Sequence, residues 1–80
     1  MKTIIQFSDQ QIPVYIIDNK GKKPNNKLID TLVDILDRKI KTGKRTVKKF
    51  LDTLDSIEIV GSDAILYSKK WTDTLALSLF

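Results

Sequence analysis

The sequence has no cysteine and no histidine, and it has few glycines and prolines. Without cysteine, the chain can form no disulfide, thiolate zinc site, iron–sulfur cluster or cysteine nucleophile. Without histidine, it lacks the commonest general base and the commonest transition-metal ligand. No apolar run approaches the roughly 20 residues that span a bilayer, and the N-terminus lacks a secretory signal pattern. We therefore expect a cytoplasmic protein that is not an enzyme, with no cofactor, no metal site and no place in a membrane.

Apolar and charged residues, by contrast, are both plentiful. The chain is 41% hydrophobic and 30% charged, a balance typical of a folded globular domain rather than a disordered segment. Its 80 residues are enough for one modest core, so we expect residues 1–80 to form a single domain. Fourteen basic residues against ten acidic ones give a net charge of +4. This excess favours a negatively charged partner, either nucleic acid or an acidic protein surface.

Residues near the N-terminus predict a β-hairpin. Two runs rich in β-branched side chains, 3–7 and 12–17, flank the polar break 8–11, and this spacing is typical of a hairpin. Pro13 has no N–H to give to a ladder, so the second strand either lies at an edge there or starts after it. The lysine-rich run 18–25 combines several structure breakers and predicts a loop.

The middle of the chain, residues 26–56, is predicted to be helical. Its apolar residues recur at spacings of three and four, which is the period of an amphipathic helix, and Thr42-Gly43 interrupts the pattern. The first stripe is Leu28, Ile29, Leu32, Val33, Leu36 and Ile40, and the second is Val47, Phe50, Leu51 and Leu54. Because the break between the stripes is so short, we expect an αα-hairpin or a helix-turn-helix.

The remaining residues predict strands. Two strands joined by a turn at Gly61-Ser62-Asp63 are expected over 57–68. In the tail 74–80, leucines at every second position indicate a strand with one buried face. A single helix over 63–80 is the alternative. We expect an α+β fold in the order ββααββ, with the two-helix hairpin packed on a small antiparallel sheet.

Half of the basic charge lies within twelve residues that contain no acid, spanning the end of the first helix, the turn and the start of the second. These residues, called the basic cluster below, are Arg38, Lys39, Lys41, Lys44, Arg45, Lys48 and Lys49. Cations at the start of a helix oppose its dipole and cost roughly 0.3–1 kcal/mol each. A sequence that keeps them there favours binding of a phosphate backbone. The alternative is a solvated lysine-rich surface.

The segment 42–70 resembles a known DNA-binding pattern. Gly43 to Ser56, followed by Ile57 to Ser68, is similar to the recognition helix and wing of winged helix-turn-helix proteins. In that family, a Thr-Val-x-x-x-Leu-x-x-Leu type helix leads into a short β-hairpin. The resemblance implies that one side of this helix enters the major groove. The residues it places on that side are Lys44, Arg45, Lys48 and Lys49.

These observations lead to two hypotheses about function. The first is a nucleic-acid-binding module, such as a small transcriptional regulator, in which Arg45 could form a bidentate fork to guanine. The second is a protein-interaction module, such as a small inhibitor or adaptor of the kind that mobile elements encode. It would use either the basic face or the strand 74–80, pairing with a partner's sheet edge or forming a homodimer. The alternative for that strand is that its leucines complete the core of this domain.

Three aromatic residues offer another route to nucleic acid. Tyr15, Tyr67 and Trp71 could act as platforms for base stacking, with Lys69-Lys70 beside them to bind the backbone. The alternative is that these aromatic side chains belong to the core or its rim.

Overall fold

The computed structural model describes residues 2–17 and 26–79, which form a five-stranded sheet and two helices. The elements are β1 (Lys2–Phe7), β2 (Gln10–Ile17), α1 (Asn26–Thr42), α2 (Arg45–Asp52), β3 (Leu54–Val60), β4 (Asp63–Ser68) and β5 (Thr74–Ser78). The predicted α+β class is confirmed, and residues 63–79 contain two strands rather than the alternative helix. The loop predicted at 18–25 lies outside the described residues.

The topology of the sheet differs from the prediction. The strand order is β1-β2-β3-β4-β5, and β2 and β3 run parallel while the other neighbours are antiparallel. The expected order ββααββ in an antiparallel sheet is therefore wrong, because the order is ββααβββ and the sheet is mixed. Parallel neighbours require a crossover of a dozen or more residues. The helical segment between Ile17 and Leu54 provides one, and the tail adds a fifth strand beside β4.

Both hairpin turns are shorter than predicted. Phe7 pairs with Gln10, so that only Ser8 and Asp9 form the first turn, with φ angles of 51° and 63°. Positive φ at both central residues is the pattern of a type I′ turn. Val60 pairs with Asp63, and Gly61, at φ 64°, is the first turn residue there. Turns of this kind match the twist of the strands that they join.

Pro13 lies inside β2, opposite Ile4 of β1. The ladder between β2 and β3 begins only at Val14. At Pro13, therefore, β2 has β1 as its only paired neighbour, and the first of the two predicted explanations is confirmed. A proline is tolerated at such a position because no ladder hydrogen bond is required on its open side.

The core lies between the helices and one face of the sheet, called the inner face. Alternate strand residues point into it together with the predicted stripe of α1. The buried residues are Ile5, Phe7, Ile12, Val14, Ile16, Leu28, Leu32, Leu36, Phe50, Leu51, Leu54, Ile57, Ile59, Ala64, Leu66, Leu77 and Leu79. The opposite face of the sheet, called the outer face, carries the residues between them.

The helical part of the chain ends earlier than the predicted zone 26–56. It ends at Asp52, because Thr53 leaves helical geometry at φ −115° and ψ 29°. The Thr53 N–H donates to the Phe50 carbonyl oxygen at 3.1 Å and closes the last turn. Leu54, expected on the helical stripe, is instead the first residue of β3, and its side chain is still buried in the core.

Neither helix in residues 26–52 is both long enough and apolar enough to cross a lipid bilayer.

Candidate nucleic-acid interface

The basic cluster surrounds the junction of α1 and α2, which only Gly43 and Lys44 separate. The N–H of Gly43 donates to the Lys39 carbonyl oxygen at 2.8 Å and closes α1. A Cβ atom at Gly43 would collide with that same oxygen. Glycine therefore allows the chain to turn tightly here, and the tight turn joins the two halves of the cluster.

Most of the cluster is available to a ligand. Lys48 is half-buried, and its other six members are exposed. The Arg38 guanidinium forms an ion pair with Asp34 at 2.7 Å, one turn earlier on α1. Within residues 2–17 and 26–79, no carboxylate lies within 4.0 Å of the other six cations. Asp37 and Lys41 have the same i,i+4 spacing as Asp34 and Arg38, but they form no ion pair. Six unpaired cations therefore surround one junction.

The first turn of α2 strengthens the positive potential at this junction. Lys44 occupies the N-cap position, and it provides no side-chain hydrogen bond to the N–H groups of the helix. The first turn also contains no acidic residue. The partial positive charge of the helix N-terminus therefore adds to the charge of Lys44 and Arg45. Uncapped N–H groups beside cations are suited to binding an anionic oxygen.

The other end of α2 is fixed to the sheet. Phe50 and Leu51 are buried, and the Phe50 ring lies 5.5 Å from the ring of Trp71 between centroids. The side-chain amide of Gln10 donates to the Asp52 carbonyl oxygen at 3.2 Å, and the hydroxyl groups of Thr53 and Ser68 lie 2.9 Å apart. These contacts hold the short helix on the domain, so that its basic side is presented from a rigid support.

The aromatic residues do not form one site. Tyr15 and Tyr67 lie on the outer face of the sheet, since they pair with Glu58 and Ser56 respectively. Trp71 follows β4 and contacts Phe50 of α2. Lys69 and Lys70 precede Trp71 in the chain and are exposed.

The outer face also brings together two charges that sequence analysis did not single out. Lys2 lies opposite Tyr15, and Tyr15 lies opposite Glu58 on its other side. Desolvation first, and then the neighbouring Glu58 carboxylate, raise the pKa of Tyr67 above 10.0. The sequence feature that could have indicated this surface is the run 12–17, whose strand carries apolar residues on both of its faces.

The predicted C-terminal strand contributes to the core. Leu77 and Leu79 are buried and Leu75 is half-buried, all three on the inner face. β5 is also an edge strand, paired only with β4. The leucines therefore have a structural role, and β5 is the last strand on its side of the described sheet.

Two further results concern metals and relatives. In the described residues, no group of three acidic side chains is arranged to hold a metal ion. Comparison of the chain with known protein families, curated proteins and solved structures finds no match in any of the three. The resemblance of segment 42–70 to winged helix-turn-helix proteins stays a prediction.

Proposed function

We propose that this domain is a non-enzymatic nucleic-acid-binding module that binds the phosphate backbone with its basic cluster. The observation that carries the proposal is the group of six cations around the junction of α1 and α2 that have no carboxylate partner among the described residues. Each phosphate that such cations neutralise releases condensed counterions, which provides affinity at low salt. We place this activity in the cytoplasm, as the sequence predicts.

Within the cluster, different residues have different expected roles. Lysine ammonium groups act as point charges on phosphate, whereas arginine can present a planar fork to a base edge. Arg38 is engaged by Asp34. Arg45, at the start of α2, is exposed and unpaired, so it is our candidate for contacts to guanine. This role agrees with the resemblance to a recognition helix and suits a small transcriptional regulator.

Fluorescence anisotropy with short duplex and single-stranded DNA tests the proposal. We expect binding that weakens about 10³-fold or more between about 50 and 200 mM salt, because several phosphate contacts are made. At about 100 mM salt, Arg45→Glu should abolish binding, since it removes one cation and repels phosphate within the cluster. Circular dichroism should show a fold like that of the wild type, because Arg45 is exposed.

The matched control is Lys27→Glu, which changes the net charge by the same amount at an exposed position of α1 outside the cluster. We expect this variant to retain most of its affinity, since a distant charge is screened over about 10 Å. Equal losses in both variants would mean that net charge alone attracts the DNA. Wild-type affinity in Arg45→Glu, or no binding by the wild type at the lower salt, would contradict the proposal.

A protein-interaction function is the second candidate, and the edge position of β5 favours it. Residues 74–78 contain no charged side chain and no proline, the features that usually protect an exposed edge from pairing. A partner strand, or β5 of a second copy, would pair with the backbone of this edge while the leucines stay in the core. An acidic protein bound to the basic cluster is the other form of this candidate.

A further inference from the structure

The outer face of the sheet holds most of the exposed apolar surface. Five large hydrophobic side chains are exposed in the described part of the chain. Four of them, Ile4, Tyr15, Ile17 and Val60, lie on this face, with exposed fractions of 57, 40, 42 and 40%. Neither α1 nor α2 covers them, because both of these helices pack on the inner face. A contiguous apolar surface with polar residues beside it is typical of an interaction site.

Two opposite charges flank this surface in a regular row. Lys2 on β1, Tyr15 on β2 and Glu58 on β3 are directly paired across the sheet. Neighbouring strands lie about 4.8 Å apart, so the backbones of Lys2 and Glu58 are about 10 Å apart with Tyr15 between them. No ion pair joins Lys2 to Glu58 within the described chain. The row is therefore positive on one side of Tyr15 and negative on the other.

Both charges are held on the outer face. The Lys2 ammonium lies 5.7 Å from the centroid of the Tyr15 ring, within the range of a cation–π contact. Glu58 pairs with Tyr15 across the sheet, and Tyr67 lies diagonally opposite Glu58 on the same outer face. An open depression of about 520 Å³, lined by Lys2, Tyr15, Ile17 and Glu58 among others, lies at this row. The charges are thus positioned before any partner arrives.

We propose that the outer face binds a second copy of this chain, with the row Lys2–Tyr15–Glu58 matching itself across a two-fold axis. An axis that runs along β2 above Tyr15 would place Lys2 of each copy over Glu58 of the other. Tyr15 and Ile17 would lie near the axis and meet their own equivalents. Sheets that pack face to face lie about 10 Å apart and keep their strands nearly aligned, which this arrangement satisfies.

The charge pattern favours this occupant over nucleic acid. Glu58 and Asp63 share the outer face with Lys2, and they would repel a phosphate backbone. In a symmetric dimer, by contrast, each cation meets an anion, and the same surface serves both copies, as a two-fold interface requires. The dimer is independent of the nucleic-acid proposal, because it uses neither the basic cluster nor the helices.

Charge exchange between variants tests this arrangement. The oligomeric state is measured by sedimentation velocity over a dilution series from about 100 µM to about 1 µM protein, a range in which a tenfold change in a micromolar Kd changes the dimer fraction clearly. We expect the wild type to be a dimer. Lys2→Glu alone places two carboxylates together, and Glu58→Lys alone places two ammonium groups together, so each should dimerise at least about tenfold more weakly. An equimolar mixture of the two variants should form a heterodimer, since both contacts are then between opposite charges.

Two controls separate the outcomes. Ile17→Lys should prevent dimerisation without changing either charge of the row, and its circular dichroism should stay native because Ile17 is exposed. Lys27→Glu, outside the outer face, should leave the dimer intact. A monomeric wild type, single variants as dimeric as the wild type, or a mixture that fails to associate would each overturn the proposal. So would a dimer that survives Ile17→Lys, because that result would place the contact elsewhere, for example at the edge of β5.

Discussion

At the scale of single residues, both hairpin turns begin with a residue at positive φ, but they use different amino acids there. Ser8 and Asp9 adopt positive φ angles with side chains present, whereas Gly61 does so without one. An L-residue in the left-handed region is disfavoured by about 1–2 kcal/mol relative to its usual conformations, and aspartate less than most. The first hairpin therefore contains local strain that the second avoids.

Replacing Asp9 by glycine should stabilise the domain. We expect Asp9→Gly to raise the free energy of unfolding by about 0.5–1 kcal/mol, because glycine adopts the positive φ of the second turn position without steric cost. Urea unfolding followed by circular dichroism measures the change as a higher midpoint at an unchanged slope.

The converse substitution, Gly61→Ala, is the matched control. It should lower the free energy of unfolding by about 1 kcal/mol through φ alone, since a Cβ at Gly61 has no heavy atom within 4 Å. If both substitutions moved the midpoint in the same direction, the conformations assigned to these turns would be wrong.

Tyr67 gives a prediction about pH. Desolvation, and then Glu58, raise its pKa above 10.0, so the folded protein favours the neutral phenol more than the unfolded chain does. The resulting stabilisation is fully present below pH 10 and is lost as the pH rises through the folded pKa. Glu58→Gln should lower the pKa of Tyr67 towards 10 and leave the part caused by desolvation.

An alkaline titration of phenolate absorbance measures this pKa. The chain has two tyrosines, so the Tyr15→Phe background leaves Tyr67 as the one phenol that titrates. The comparison is between Tyr15→Phe and Tyr15→Phe/Glu58→Gln. Identical midpoints in the two proteins would show that Glu58 does not act on Tyr67.

At the scale of elements, the sequence patterns were informative wherever one face of an element is buried. The helical period of Leu28, Leu32 and Leu36 predicts the stripe of α1, and in the structure all three side chains are buried. Strands at the C-terminus were predicted because Leu75 and Leu77 alternate with exposed residues. Periodicity records which side of an element meets the core, and for these elements it was sufficient.

Periodicity does not predict which strands pair with each other. The parallel contact of β2 with β3 depends on where the helical crossover returns the chain, and no local pattern encodes that position. The end of α2 was also missed, because Leu54 continues the helical stripe while Thr53 already departs from helical geometry. The row of Lys2 and Glu58 could not be predicted either, because it forms only through the pairing of strands that are distant in sequence.

The candidate basic cluster was predictable from sequence as a group of charges but not as a surface. Its members lie within one short segment, so their proximity follows from the chain itself. That six of them lack a carboxylate partner in the described part of the chain depends on the side-chain geometry of α1, where Asp34 forms an ion pair with Arg38 and Asp37 forms none. Both acids stand four residues before a basic residue, so the spacing alone does not show which of them forms an ion pair.

At the scale of the whole molecule, the two proposed surfaces lie on different layers. The basic cluster belongs to the helical layer, and the apolar row belongs to the uncovered side of the sheet. A dimer formed through its sheets would have helical layers on its two outer sides. Each copy would then present its cluster away from the other, so that one dimer could engage two separate stretches of nucleic acid.

The same layered construction predicts how the domain depends on β5. One continuous core joins all five strands and both helices, and a domain of this size has a total stability of only about 4–12 kcal/mol. Truncating a buried leucine to alanine costs about 2–5 kcal/mol. The double variant Leu77→Ala/Leu79→Ala should therefore lose most of the stability of the domain and show no cooperative thermal transition by circular dichroism.

The control is Ala76→Ser, an exposed change on the same strand. Its free energy of unfolding should lie within about 0.5 kcal/mol of that of the wild type. A double variant that unfolds like the wild type would mean that the C-terminal strand is free to serve a partner with its leucines. Loss of the transition would show that β5 is required by its own domain, and that only its backbone edge remains for pairing.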